Sequence, residues 1–311
     1  MTALLFGILT LALVGPIPKA LAHAEWPLYA PRAAMALWQA VALAAVLSAF
    51  STGLAIAANL LAPGPDGAPT TTPVQEIDRL GWFTWSVYVV VLALTLFIGA
   101  RLAYAVVRVG IRTRARRRAH RHLVDLVDRN EYRRDHGGIR VLDVATPMAY
   151  CLPGLRPRVV LSEGVLARLD DAELAAVIEH ERAHLRARHD LVLEAFIALH
   201  EAFPRFVRSR SALGAVELLA EALADDQAVR ATARTTVGRA LVACADATAP
   251  SGAMAVGGPS TLARVRRLSY SSSTVRISLT AYGLAAAILV VPTLAVAIPW
   301  LTELSRLIAH R

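Results

Sequence analysis

The chain has 311 residues, 56% of them apolar, with 33 Lys and Arg against 24 Asp and Glu and a formal net charge of +9. That apolar fraction lies above the range of ordinary globular domains. The two cysteines, Cys151 and Cys244, have no metal-ligand spacing with their neighbours, which excludes a cysteine-based metal centre.

Residues 1–18 carry no charge, and Pro16 and Pro18 fall at the far end of the run. A cleaved secretory signal has a basic segment ahead of its apolar core. None is present, so the run reads as a retained first membrane span. A second uncharged run, residues 33–62, is long enough to cross a bilayer with some tilt. A third covers residues 82–100, with Arg101 and Arg108 near its end, and a fourth covers residues 277–301. Pro292 and Pro299 in the fourth are tolerated in a membrane helix. Trp26, Trp82, Trp85 and Trp300 fall at the edges of these runs, as interfacial anchors do.

Charge orients the spans. Arg112, Arg114, Arg116, Arg117, Arg118 and Arg121 follow the third run directly, and basic residues beside span ends stay cytoplasmic. Residues 110–276 are therefore expected in the cytosol, as is the loop holding Lys19 and Arg32. The Pro63-Gly64-Pro65-Asp66-Gly67 loop, the N-terminus and the last dozen residues are expected outside. A basic cluster is also the footprint of nucleic-acid binding, but beside a membrane span contact with anionic lipid explains it more simply. No direct nucleic-acid binding is expected. The expected division is a three-helix membrane region (1–109), a cytosolic domain (110–276), and a fourth span with a short tail (277–311).

Within the cytosolic part, a polar or helical linker over residues 119–136 breaks at His136-Gly137-Gly138. Residues 139–144 alternate weakly and read as a strand, residues 147–157 are turn-rich, and Val159-Val160-Leu161 reads as a second strand. Ser162 opens a short helix to about Arg168. Asp170, with Glu173 three residues on, is a capping signal for a long helix that meets no Gly or Pro until Pro204.

That helix carries His180-Glu181-Arg182-Ala183-His184, the pattern H-E-x-x-H. One turn apart, His180 and His184 share a face and can reach one Zn²⁺. Glu181 is placed to take a proton from an attacking water. A catalytic site needs a third protein ligand and an open position. The next helical run, residues 211–231, carries Glu217, Glu221 and Asp225 spaced by four on one face. Like charges so spaced repel unless a cation or protons compensate them. Glu221 is the expected third ligand, Glu217 the alternative, and Asp225 the acceptor for a ligating imidazole N–H. An ordinary acidic surface stripe is the competing explanation.

Residues 191–207 between these helices are apolar yet hold Glu194, His200 and Glu201, as suits a buried or membrane-abutting helix. His189, five residues past His184, falls off its face and is left out of the ligand set. Residues 236–245 read as a helix, residues 250–259 as a Gly-, Ser- and Ala-rich loop near the site, and residues 262–270 as a basic helix leading to the fourth span.

H-E-R-A-H followed by Glu221-Ala222-Leu223-Ala224-Asp225 resembles the gluzincin pattern, H-E-x-x-H with a later E-x-x-x-D. In detail the chain resembles the membrane peptidases of the beta-lactam sensor-transducer family, and more distantly the heat-shock and CAAX-processing membrane peptidases. The likeness covers roughly residues 141–229. It includes Tyr150-Cys151-Leu152-Pro153-Gly154, Arg158-Val159-Val160-Leu161-Ser162-Glu163-Gly164 and Phe203-Pro204. The resemblance implies that His180, His184 and Glu221 bind zinc, that Glu181 polarises water, and that a nearby strand is an open edge for a substrate peptide. Ala224 stands where that family usually has Cys, a departure that touches no implied ligand.

The expected fold is therefore a mainly α membrane protein of four transmembrane helices, with a cytosolic α+β gluzincin-type zinc peptidase domain inserted between the third and fourth. One Zn²⁺ per chain, a protein or peptide substrate and the lipid bilayer are the expected partners, in a multi-pass inner (plasma) membrane protein. About ten residues follow the fourth run, so the extracellular penicillin-binding sensor of the resembled family is not expected here. That family suggests a winged-helix transcriptional repressor as the cleaved protein. A quality-control peptidase, and a non-catalytic transducer with structural zinc, are the alternatives.

Overall fold

The computed structural model describes residues 2–57, 60, 72–127, 138–203, 210–245, 254–255, 261–269 and 274–309. The 63–67 loop, residues 128–137 of the expected linker and its Gly break, Pro204 to 207, and most of the 250–259 loop lie outside these.

The N-terminal part is helical: α1 (Thr2–Val14), α2 (Pro16–His23), α3 (Trp26–Tyr29), α4 (Pro31–Ala57), α5 (Pro73–Leu80) and α6 (Trp82–Val127). Then follow β1 (Ile139–Leu142), β2 (Ala149–Leu152), β3 (Arg158–Ser162), α7 (Glu163–Arg168), α8 (Asp171–Ala187), α9 (His189–Ala202), α10 (Arg210–Ala231), α11 (Arg234–Ala243), β4 (Met254–Ala255), α12 (Thr261–Leu268) and α13 (Val275–Ala309). Four stretches are long and apolar enough to cross a membrane: Ala3–His23, Pro31–Ala57, Trp82–Leu126 and Val275–Leu294. The α+β domain is inserted between the third and fourth of these, as expected. With the arginine run at its base it faces the cytosol, and the chain is a multi-pass inner-membrane protein. Where α4 meets α6, Gly53 lets the backbones close: a Cβ there would lie 2.0 Å from Thr95 Oγ1.

α6 does not stop at the membrane boundary. Its 46 residues rise about 69 Å at ~1.5 Å each, more than twice the ~30 Å hydrocarbon core. The arginine run, placed by the sequence directly after the third span, continues the same helix, as do residues 119–127 of the polar or helical linker, because Arg, Ala, Leu and Val are tolerated or favoured there and no proline intervenes.

The sheet has the order β1-β3-β2-β4, with β1 parallel to β3 and the other pairs antiparallel. β2 falls within the stretch read as turn-rich. Its outer edge carries β4 in the register Tyr150↔Ala255 and Cys151↔Met254. Side chains alternate across the sheet. Ala149, Val159 and Leu161 join Val177 of α8 and Val237 and Leu241 of α11 in one core. Tyr150, Leu152 and Val160 turn the other way, onto Val124 at the cytosolic end of α6. The sheet is thus held between the candidate metal helix and the extension of a membrane span. Ser162 closes β3 into α7: its Oγ accepts from Met148 N and Val165 N and donates to Thr146 O.

α8 opens with the expected capping box between Asp170 and Glu173. The long helix read from sequence is, however, two helices. Arg188 sits in the left-handed region, φ 52° and ψ 41°, its N–H capping His184 O, and α9 starts afresh at His189. α10 presents Val216, Leu219 and Ala220 to Trp38 and Val41 of α4 and to Leu21 of α2, so one of its faces belongs to the membrane bundle and the other to the cytosolic domain.

Candidate metal centre

His180 and His184 lie on the buried face of α8, 2% and 1% exposed, because that stripe packs against α10. Their Nε2 atoms are 3.1 Å apart. From α10, Glu221 reaches both: its Oε2 is 3.4 Å from His180 Nε2 and its Oε1 3.4 Å from His184 Nε2. These three residues form a cluster able to hold a metal ion among the described residues. A tetrahedral zinc with ligands at ~2.05 Å sets its ligand atoms ~3.3 Å apart; the two Nε2 atoms are 3.1 Å apart, and Glu221 approaches each imidazole to 3.4 Å, through a different carboxylate oxygen for each. Three protein atoms also leave one tetrahedral position free, as a catalytic site requires. The donor set fits zinc.

Each of the three is gripped from behind. Asp225 Oδ1, one turn along α10 and fully buried, is 3.1 Å from His180 Nδ1. Arg264 of α12, 1% exposed, donates to Asp225 through Nε at 2.9 Å and Nη2 at 2.6 Å, and its Nη1 lies 2.8 Å from Glu221 Oε2. Arg267, one turn on, donates to Ala222 O at 3.0 Å and to Asp226. Behind His184, the Nδ1 of His189 is 3.0 Å from His184 Nδ1.

Charge follows this geometry. Burial alone would raise the Glu221 and Asp225 carboxyls, but the histidines and the Arg264 guanidinium hold Glu221 down at about 2 and Asp225 well below the usual carboxylate range. Burial would depress His180, yet its bonds to Asp225 and Glu221 carry it up to about 9. His184 lacks a carboxylate behind it, and burial pushes it down to about 3.

Glu181 differs from all of these. It is 0% exposed, and no nitrogen or oxygen donor reaches either carboxylate oxygen. Burial lifts it to about 8, against the pull of His180 and of the buried Cys151 thiol of β2, and that thiol is itself pushed up by burial and by Glu181.

The family model for BlaR1 peptidase M56 matches residues 19–203, more than half of the chain. The chain belongs to that family. The match spans the second and third membrane stretches, strands β1 to β3 and all of H-E-x-x-H, and ends before α10, so it does not cover Glu221, Asp225 or Arg264. No curated protein and no solved structure matches the chain.

The structure brings His180, His184, Glu221 and Asp225 together, with Glu181 beside them. Glu217, the alternative ligand, instead lines a cavity of about 280 Å³ against α6, with Arg112, Arg117, Asp190 and Glu194. Sequence reasoning missed Arg264 and His189. Arg264 lies 39 residues from Asp225, and only its place in an otherwise basic amphipathic helix marked it. His189 was set aside by helical periodicity, and no local signal foretold the break at Arg188.

Proposed function

We propose that the chain is a zinc-dependent membrane endopeptidase, with His180, His184 and Glu221 as metal ligands, Glu181 as general base and Asp225 as the acceptor behind His180. The division of the chain follows from this reading: residues 1–109 anchor, 110–276 cut, and 277–311 anchor again. The observation that carries it is Glu181. A purely structural metal site has no use for a buried carboxylate that no nitrogen or oxygen donor satisfies beside its ligands, and leaving one so costs stability.

Zinc, when bound, polarises a carbonyl and lowers the pKa of water. The chain's own residues supply the rest. Glu181 accepts the proton of the attacking water and passes it to the departing amine. Asp225 fixes the His180 ring by taking its Nδ1–H. Arg264 spends its guanidinium on Glu221 and Asp225, so it neutralises the acidic side of the site and keeps both carboxylates ionised.

The substrate is a protein on the cytosolic side or in the membrane, since the site lies in the domain beneath α6. A transcriptional repressor in a signalling pathway is the candidate the family resemblance offers. Substrate would lie along the β2 edge as an added strand, in place of β4 or beside it. The test is a comparison of protein termini in cells expressing wild type or Glu181→Gln, with and without cell-wall stress. New termini are expected only with wild type, and the substrate is expected to accumulate on E181Q. Identical termini in both, with both proteins holding zinc, would leave a non-catalytic transducer.

A further inference from the structure

We propose that His189 is a positioning residue for the metal centre: it accepts the Nδ1–H of His184 and so presents the His184 Nε2 lone pair to the metal. This deepens the metallopeptidase reading and rests on it.

The argument is proton bookkeeping between two imidazoles. His184 Nδ1 and His189 Nδ1 are 3.0 Å apart, with the rings edge to face at 82°. Two ring nitrogens at that distance share one proton, so one donates and the other accepts. His184 Nε2 faces the other way, 3.1 Å from His180 Nε2 and 3.4 Å from Glu221 Oε1. An atom so placed serves as a ligand only with a free lone pair, which puts the ring proton of neutral His184 on Nδ1. His189 Nδ1 is then the acceptor, and His189 carries its own proton on Nε2. Both residues are buried, 1% and 4% exposed, so no bulk solvent substitutes for the contact.

The two ligand histidines are thus held by different acceptors, His180 by the Asp225 carboxylate and His184 by a neutral ring. Asp225 has Arg264 to balance it. On the His184 side no cation occupies the equivalent position in the described hydrogen bonds and ion pairs. A carboxylate there would be a buried, unbalanced charge, whereas an imidazole selects the same tautomer without adding one. The left-handed Arg188 makes the contact possible. On an uninterrupted helix, residue i+5 points about 140° away from residue i; the break swings the first residue of α9 back against α8.

The test uses the full-length protein in detergent, with zinc affinity read by competition against a chelator. His189→Asn keeps an acceptor oxygen close to the Nδ1 position. His189→Leu has nearly the same shape as Asn and no acceptor. H189L is expected to bind zinc about 10- to 100-fold more weakly, the usual cost of losing such a partner, and H189N to stay within about threefold of wild type on the same scale. Melting of the metal-free proteins monitors folding, and the comparison is between two variants that both fold. H189L binding zinc as tightly as wild type would overturn the proposal, as would equal losses in H189N and H189L, which would reduce His189 to packing. Failure of the wild-type protein to bind zinc would instead overturn the metal site itself.

Discussion

The candidate centre is built from pairs of residues, one in the His180, His184 and Glu221 cluster and one packed behind it: Asp225 with His180, Arg264 with Glu221, His189 with His184. The near members were legible in the sequence, because H-E-x-x-H and the four-residue spacing of Glu221 and Asp225 are properties of a single helix each. Of the residues behind them, Asp225 was legible by that same spacing, but Arg264 and His189 were not, because they reach the site through tertiary packing and a helix break. Metal analysis checks the near set: Glu221→Gln should lose about 10-fold or more in zinc affinity relative to wild type, and unchanged occupancy would shift the third ligand elsewhere. Glu181 gives a pH signature. In the folded, metal-free protein its carboxyl titrates at about 8, while in the unfolded chain it titrates near ~4.3. Folding therefore takes up a proton between those values, and the contribution is fully present below the lower one and lost as pH rises through the upper. E181Q is neutral throughout. Chelator-treated E181Q should melt close to wild type near pH 5 and above it near pH 8; equal melting at both would mean that Glu181 is not held as a buried acid.

At the scale of elements, α9 connects the centre to the membrane. Its first residue touches His184, and its length lies along α6: Arg117 reaches Asp190 at 3.1 Å and Glu194 at 2.7 Å, Arg112 reaches Glu201 at 3.3 Å, and Arg101 donates to Ala202 O. Arg117 and both its partners are largely buried. Arg117→Leu alone strands Glu194 and leaves Asp190 only Arg188 at 3.5 Å, a change of the kind that costs about 3–5 kcal/mol, so its melting temperature should fall sharply. The combined Arg117→Leu, Asp190→Asn and Glu194→Gln protein should recover most of that loss; no recovery would mean that the ion pairs are not what holds α9. Sequence reading placed a buried or membrane-abutting helix here but merged it with α8, since a non-glycine residue at positive φ leaves no mark in hydrophobic periodicity. The same limit hid β2, whose four residues sit in a Pro- and Gly-rich stretch and become a strand only by pairing with β3. α7, α10, α11 and α12, with caps or clear amphipathic stripes of their own, were read within a few residues.

For the whole molecule, four apolar stretches and one block of arginines were enough to give the architecture, because membrane thickness and the charge bias of cytoplasmic flanks are global constraints that a sequence must satisfy openly. The continuity of α6 was hidden, since hydropathy marks where a helix leaves the bilayer and not where it ends. Orientation is testable with single cysteines in a background lacking Cys151 and Cys244, both buried. Val74 on α5 is exposed, and so is Leu155 in the β2–β3 turn. An impermeant thiol reagent added to intact cells should label Val74→Cys and spare Leu155→Cys, and the reverse would place the domain outside.

The central claim is that Glu181 turns a metal site into a peptidase. The most direct measurement is on the purified full-length protein in detergent, loaded with one equivalent of zinc and mixed with a library of unstructured peptides whose products are read by mass spectrometry. Wild type should generate new internal termini. E181Q, holding zinc with the same stoichiometry, should be slower by about 10²–10⁴, the range that general-base catalysis contributes. Equal cleavage by wild type and E181Q, both with zinc bound, would contradict the account.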